Sequence, residues 1–405
     1  MKVLLVNKFF FLKGGAERSF FDTARILNEN GHKVIYFSMA HPNNLKTHYS
    51  QYFIKHIDFT HPLSLMEKTT GAAHLIYSID AKKKIKKLIK DERPDIIHLH
   101  NIHSQISPSI LTVLKNENIP CIMTLHDYKM VCPVYTLFLR GKICERCSQE
   151  KFYHCFLNKC TKDSYFKSLL STLEMYIHHD IMHIYDRVDA FISPSRFLID
   201  KLRNMGFTKS ISYVPNPLFP DEFNYSYSWD KKTLMYFGRL SYEKGLHTLL
   251  KAVKGIDADC RIHGQGPLEH ELKKVKQKQQ LNNVTFYGHS GKEKIMEFLK
   301  RAMFVVVPSE WYENSPYAVT EAFASGKPVI GSRIGGIPEL VVDYETGLTF
   351  QPGSEDELRS HILYFLDNPD KIREMGKKAR KLAEEKLNPA NFYDRLFSIY
   401  EKISH

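Results

Sequence analysis

Short apolar runs recur along the chain, each followed by a stretch whose apolar residues return every three or four positions. The first is KVLLVNKF (2–9), after which SFFDTARILNENG reads as a helix stopped by Gly31. HKVIYFSMA (32–40), PDIIHLHN (94–101), PCIMTLHD (120–127), DAFISPS (189–195) and ISYVPNP (211–217) repeat the design. Strands apolar on both faces that alternate with helices predict a parallel sheet covered on each side. VPNPLFPDEF (214–223) then breaks the pattern with Pro and Asn. Beyond it the alternation restarts through TLMYFGRL, DCRIHGQG, NVTFYGHS, MFVVVPSE, KPVIGSR and GLTF. The prediction is α/β: two facing, doubly wound, Rossmann-like domains, with ligands in the cleft between their strand ends. The expected boundaries are 1–215 for the first domain, 216–385 for the second, and 386–405 for a final helix returning to the first.

A length of 405 residues suits two cores rather than one, and an apolar fraction of 43% can fill them. No run approaches the roughly 18 apolar residues of a membrane span, and the N-terminal run reads as a strand rather than a secretory signal. A cytoplasmic protein is expected. The formal charge of +12 favours anionic partners such as nucleotides or an anionic membrane face. AKKKIKKLIK (81–90) spaces Ile85, Leu88 and Ile89 helically among lysines. It reads either as an outer helix with solvated lysines or as a peripheral contact with anionic lipid at the inner membrane face.

Candidate chemistry gathers at the predicted strand ends. Gly14-Gly15 stands between the first strand and its helix, where backbone N–H groups can meet an anion, although a plain turn explains the pair as well. Arg239 and Lys244 follow the first strand of the second half and suit a diphosphate. In SEWYENSPYAVTEAFASG, Glu313 precedes a helix starting near Pro316, and Glu321 lies inside it. At 1.5 Å per residue, Glu321 sits roughly 7 Å along that helix. This spacing fits two ends of an elongated ligand, a sugar nucleotide, better than two carboxylates sharing a proton. The plain alternative is a helix cap and an exposed ion pair.

Glu313 and Glu321 with seven residues between, AFASGKPVIGSRIGGIPELV, and the ordered series KGGAER, HLHN, TLHD, FISPS, VPNP, FGRLSYEKG and HGQGP closely resemble retaining glycosyltransferases of family 4. The resemblance, to a form with a cysteine-rich insertion in the N-terminal domain, spans nearly the whole chain. It implies the GT-B architecture and transfer of a sugar from a nucleotide diphosphate sugar to an acceptor hydroxyl, in cell-surface polysaccharide or glycolipid synthesis. It implies that Gly15 meets the donor phosphate, Arg239 and Lys244 neutralise the diphosphate, and Glu321 holds the ribose. Glu313 would hold sugar hydroxyls, with the backbone of Asn314 and Ser315 beside the ring. His126 would sit at the anomeric centre, His100 and Asn101 on the acceptor side, and Gly264 and Gly266 near the nucleobase unless they only form a tight turn. No residue suits a carboxylate nucleophile, so same-face attack through an ion pair is implied. With cations already at the diphosphate, no catalytic metal is expected. A glycan phosphorylase, a sugar-nucleotide epimerase and a non-catalytic sugar-nucleotide binding protein are the alternatives.

Five of the seven cysteines crowd one block at about 130–162: Cys132, Cys144, Cys147, Cys155 and Cys160. It interrupts the strand–helix alternation directly after His126 and reads as an insertion over the acceptor side. In a reducing compartment such a block favours a structural Zn²⁺ held by four of the five, ahead of free thiols or disulfides. The acceptor is expected to be a glycan or a lipid-linked glycan, and no basic–aromatic surface speaks for nucleic acid.

Overall fold

The computed structural model describes residues 1–56, 76–229 and 231–404. The first half forms β1 (Lys2–Val6), β2 (Lys33–Phe37), β3 (Ile96–Leu99), β4 (Cys121–Thr124), β5 (Phe138–Leu139), β6 (Lys142–Ile143), β7 (Ala190–Ser193) and β8 (Ile211–Tyr213). Six of these make one sheet in the order β2-β1-β3-β4-β7-β8, every neighbouring pair parallel. β5 and β6 form a separate antiparallel hairpin, which the cysteine block hides from a periodicity reading.

The second half supplies β9 (Thr233–Phe237), β10 (Asp259–His263), β11 (Val284–Gly288), β12 (Phe304–Val307), β13 (Val329–Ser332) and β14 (Gly347–Phe350). They pair as β11-β10-β9-β12-β13-β14, again all parallel. The central strands are buried throughout, as in Val3 to Val6 and Phe304 to Val307. Each such Val, Leu, Ile or Phe contributes about 1.5–3 kcal/mol by leaving water.

In each sheet the strand order reverses once near the centre, between β1 and β3 and between β9 and β12. Helices from successive crossovers diverge there and leave a crevice at the carboxyl ends of those strands. The loops after β1, β3, β9 and β12 carry Gly15, His100, Arg239 and Glu313, so topology alone gathers most of the candidate residues.

The connecting segment belongs to both cores: Val214 and Phe219 pack with the first sheet, Leu218 and Phe223 with the second. The last helix, Pro389–Ser404, buries Phe392, Leu396 and Tyr400 in the core of the first sheet. Arg380 is buried where the two halves join and donates to the carbonyls of Pro220 and Phe223, at 2.9 and 3.3 Å, and of Ala324. Such a cation is tolerated in an interior only because its N–H groups are satisfied.

The lysine-rich segment is a helix, Ile79–Glu92, capped by the Ser78 hydroxyl. Ala81, Ile85, Leu88 and Ile89 all face the core. Its amphipathicity is therefore spent on the domain, and the side it turns to solvent offers charge without an apolar stripe.

Candidate active site

Glu313 is buried in the loop after β12. Its Oε1 accepts from Lys244 Nζ and from Ser309 Oγ, each at 2.6 Å. Burial works against its charge, but Lys244 and the Ser309 hydroxyl outweigh burial and hold the carboxyl below its usual range. The Lys244 ammonium also lies 5.2 Å from the Trp311 ring centroid. Arg239, on the loop after β9, is exposed and enters no ion pair among the described residues. An anchored cation and a free guanidinium thus share one strand end, a setting for a diphosphate.

On the opposite wall, His98 and His100 are two apart, so they share one face of β3 and its extension. Both are buried, and with half-buried His126, after β4, they stack as a ladder. Ring centroids are 4.5 Å apart for His98–His100 and 5.1 Å for His100–His126. His98 is bonded at both nitrogens, to Tyr400 OH at 2.7 Å and to Thr124 Oγ1 at 2.6 Å. His100 Nδ1 meets His126 Nε2 at 2.9 Å, while His100 Nε2 is buried without a partner among the described residues. An orphan lone pair costs less than an orphan N–H. The arrangement therefore favours His100 donating from Nδ1, which leaves the proton of His126 on its own Nδ1. Burial keeps all three neutral, lowering His98 to about 3 and His126 to about 4. Asn101 is turned to β1: its N–H donates to Asn7 Oδ1 and its carbonyl accepts from Lys8.

The two walls touch. Asn314 Nδ2 donates to the His126 carbonyl at 3.1 Å and the Leu125 carbonyl at 3.3 Å, and its Oδ1 accepts from Ser195 Oγ at 2.6 Å. The side chain of Asn314 therefore fixes the Glu313 loop to the strand end bearing His126. A Cβ on Gly336 would lie 1.9 Å from the Asn314 carbonyl oxygen, so only glycine lets that loop close. Gly15 begins the helix Gly15–Glu29 and faces the Tyr317 ring. Three residues on, Arg18 pairs with Glu321 and lies 4.6 Å from the centroid of the same ring. Ser315, half-buried, and Pro316 lead into that helix, Tyr317–Ala324. The two glutamates have separate partners: Glu313 pairs with Lys244 within its own domain, and Glu321 with Arg18 across the cleft.

Gly264 and Gly266 have a structural explanation. A Cβ on either would stand 1.8 Å from the Gly238 carbonyl oxygen or 2.3 Å from that of Leu240. These glycines let two loops of the second domain lie against each other. The chain's Asp-x-Asp triplet, Asp257 to Asp259, stands at the start of β10, at the opposite end of the sheet from this crevice, with Asp257 3.7 Å from Lys232.

Two family models match the chain in tandem: glycosyltransferase family 4 over residues 13–222 and glycosyl transferases group 1 over 222–382. The chain belongs to glycosyltransferase family 4. An uncharacterized glycosyltransferase of Methanocaldococcus jannaschii is 25% identical over 326 residues, 80% of each chain. An uncharacterized protein from the cps region of Klebsiella pneumoniae is 26% identical over 353 residues, 84% of this chain and 87% of its own. HepE from Anabaena, solved with UDP and glucose, superposes with a TM-score of 0.70 at 17% identity, covering 99% of this chain and all of its own. Together with the two parallel sheets, this fixes the GT-B fold.

In this family 4 glycosyltransferase the cysteine block departs from expectation. Among the described residues, no three His, Cys, Asp or Glu side chains gather as a group able to hold a metal ion. Cys132 packs into the core of the first sheet, while Cys147 and Cys155, with Cys160 against them, enclose Phe152 and Met175 in a small separate cluster. The thiols behave as small hydrophobes, free of disulfides. The Cys160 thiol donates to Cys155 and holds it below the usual thiol range. The expected zinc site does not appear as such a group among the described residues, and the block is tied down by apolar packing and by polar bonds, among them Gln149 to Met205 and Asn204. Between Cys144 and Cys147, Glu145 accepts from Tyr312 OH at 2.6 Å and Lys201 Nζ at 2.7 Å. Tyr312 directly precedes Glu313, so the insertion reaches the loop that carries Glu313. Arg18, Ser195, Glu145 and Tyr312 carry no signal in a single sequence, because each acquires its role from a partner more than a hundred residues away.

Proposed function

We propose that this glycosyltransferase moves a hexose, with retained anomeric configuration, from a nucleotide diphosphate sugar to a hydroxyl of a glycan or lipid-linked glycan in cell-surface polysaccharide synthesis. The observation that carries the reading is the Lys244–Glu313–Ser309 cluster, joined through Asn314 to the strand end of His126. It links one cation and a buried carboxylate to the strand end of a neutral imidazole, which supports a site for a diphosphate and its sugar. Arg239 and Lys244 would stabilise the departing diphosphate together with the backbone at Gly15. Glu313, with the backbone of Asn314 and Ser315, would hold sugar hydroxyls. His126 would donate its Nδ1 proton to the same sugar near the anomeric carbon, and Glu321 would take the ribose diol once Arg18 releases it. His100 and Asn101 would line the acceptor side. Catalysis is then positioning and charge stabilisation, with the leaving diphosphate accepting the acceptor proton. The match to a cps-region protein and to a fold solved with UDP and glucose supports the polysaccharide setting and the donor class.

The test is nucleoside diphosphate release across a panel of sugar nucleotides with cell-envelope glycan acceptors, followed by NMR of the product. Retention at the anomeric carbon and activity unchanged by EDTA are expected. An inverted product, or prompt loss of activity restored by Mg²⁺, would overturn the mechanism. Dependence on inorganic phosphate, or conversion of donor without acceptor, would replace it by a phosphorylase or an epimerase.

A further inference from the structure

The helix Tyr165–Tyr176 turns Tyr165, Phe166, Leu169 and Leu173 to solvent. At 100° per residue these four fall within one stripe about 100° wide. The short helix Tyr153–Leu157 packs against it and adds exposed Tyr153 and Leu157, and Ile181, at 73% exposure, closes the far end. Nineteen large hydrophobics are exposed among the described residues, and seven of them lie between Tyr153 and Ile181. Single exposed apolar residues need no explanation; a contiguous set does.

Cations frame this patch. Arg140, Lys142, Arg146, Lys151, Lys162 and Lys167 are exposed, and Lys159 Nζ lies 4.4 Å from the Tyr165 ring centroid. Of the acids in the same segment, Asp163 is paired with Arg140, Glu145 with Lys201, and Glu174 with buried Lys129. Glu150 and Asp180 are exposed and enter no ion pair among the described residues. His178 Nε2 bonds the Ile76 carbonyl at 2.7 Å, setting the approach to the lysine helix Ile79–Glu92 beside the end of the stripe.

We propose that this face of the cysteine-rich insertion docks on an anionic lipid bilayer, its aromatic and aliphatic tips entering the interface and its lysines meeting the headgroups. Charge decides the occupant. A second copy brought onto the patch by two-fold symmetry would oppose like-charged frames, whereas an anionic surface complements the frame and accepts the tips. The inference goes beyond the catalytic reading and does not depend on it. Because Glu145 joins the same insertion to Tyr312, a docked insertion also reaches the loop carrying Glu313.

The test is flotation of the full chain with phosphatidylcholine vesicles, with and without phosphatidylglycerol, at low and physiological salt. Binding is expected only with phosphatidylglycerol. It should fall about tenfold or more in Phe166→Ser/Leu169→Ser/Leu173→Ser, given the apolar area withdrawn. Lys162→Glu/Lys167→Glu should lower it about 25-fold or more, since each of the two cations near such a surface is worth about a factor of five. Both variants change exposed positions, so melting temperature and nucleotide binding should stay at the wild-type level. Four results would overturn the proposal. One is no binding to phosphatidylglycerol vesicles; another is equal binding by the triple variant. The third is a concentration-dependent dimer in solution that the triple variant disperses. Loss of binding in Lys83→Glu/Lys87→Glu alone would move the contact to the lysine helix and likewise overturn it.

Discussion

The Lys244–Glu313 pair allows stability and chemistry to be separated in one set of variants. Its atoms are 2.6 Å apart, and the side chains are 22% and 8% exposed. A charge-assisted bond of this kind contributes about 1.5–3 kcal/mol, and removing one partner of a buried pair costs more, because the other charge stays behind. Lys244→Met leaves the Glu313 carboxylate with Ser309 Oγ as its hydrogen-bonding side chain, so its cost is set at about 3 kcal/mol, the low end for buried pairs given the residual exposure of the lysine. For a domain of this size that lowers Tm by roughly 6–12 °C. Glu313→Gln keeps the shape and an acceptor oxygen, and should cost about 1 kcal/mol. Adding it to Lys244→Met removes the stranded charge, so the double variant should be more stable than Lys244→Met alone. Turnover should behave otherwise. Glu313→Gln is expected to lower kcat about 100- to 1000-fold, as loss of one transition-state contact does, and the double variant should recover none of it. Thermal unfolding and diphosphate release measure the two properties on the same four proteins. A coupling below about 0.5 kcal/mol, or turnover that returns with stability, would refute the assignment of this carboxylate to the sugar.

Glu321→Ala should weaken nucleoside diphosphate binding by about 1.5–3 kcal/mol in calorimetry, whereas Arg18→Met, which frees Glu321 from its partner, should leave that affinity unchanged or raise it; a loss in Arg18→Met as large as in Glu321→Ala would contradict the ribose role. His98 is buried and neutral with its folded value lowered to about 3. The unfolded chain therefore binds the extra proton below about pH 6.5, and stability should fall by about 1 kcal/mol from this residue between pH 6.5 and 5.5. Denaturant unfolding of His98→Gln should show a correspondingly weaker acid dependence. Glu145→Gln removes the charge between Tyr312 and Lys201, and kcat should fall severalfold while the KM for donor changes little; a pure stability loss with unaltered kcat would remove the bridge from catalysis.

All twelve strands of the two sheets were legible as short, mostly apolar runs; the central ones are buried on both faces, whereas the edge strands β8 and β11 alternate buried and more exposed positions. Nothing in Val3 to Val6 or Phe304 to Val307 competes with that signal. The hairpin β5–β6 was not legible, since two-residue strands leave no period to detect. The glutamate spacing gave the right elements, with Glu313 in a loop and Glu321 on the next helix, because helix geometry is local. Their present partners are not local: Arg18 is on the first helix of the other domain, and Lys244 reaches Glu313 from the loop after another strand.

The lysine helix and the cysteine block show why a pattern alone misassigns a surface. An amphipathic period states that one side is apolar, not whether the domain or a partner covers it. Ile85, Leu88 and Ile89 are covered by the domain, whereas Phe166, Leu169 and Leu173, at less conspicuous positions, are not. In the same way, cysteine spacing fixes how close two thiols can come along the chain but not which way Cβ points once a loop folds. Cys132 turns into the main core and Cys155 toward Phe152, and the carboxylate lodged between Cys144 and Cys147 becomes the group that crosses to the loop carrying Glu313. Among the described residues, a block that reads as a metal knuckle gathers no group able to hold a metal and packs as a platform. The side chain to substitute in testing its link to catalysis is Glu145 rather than any thiol.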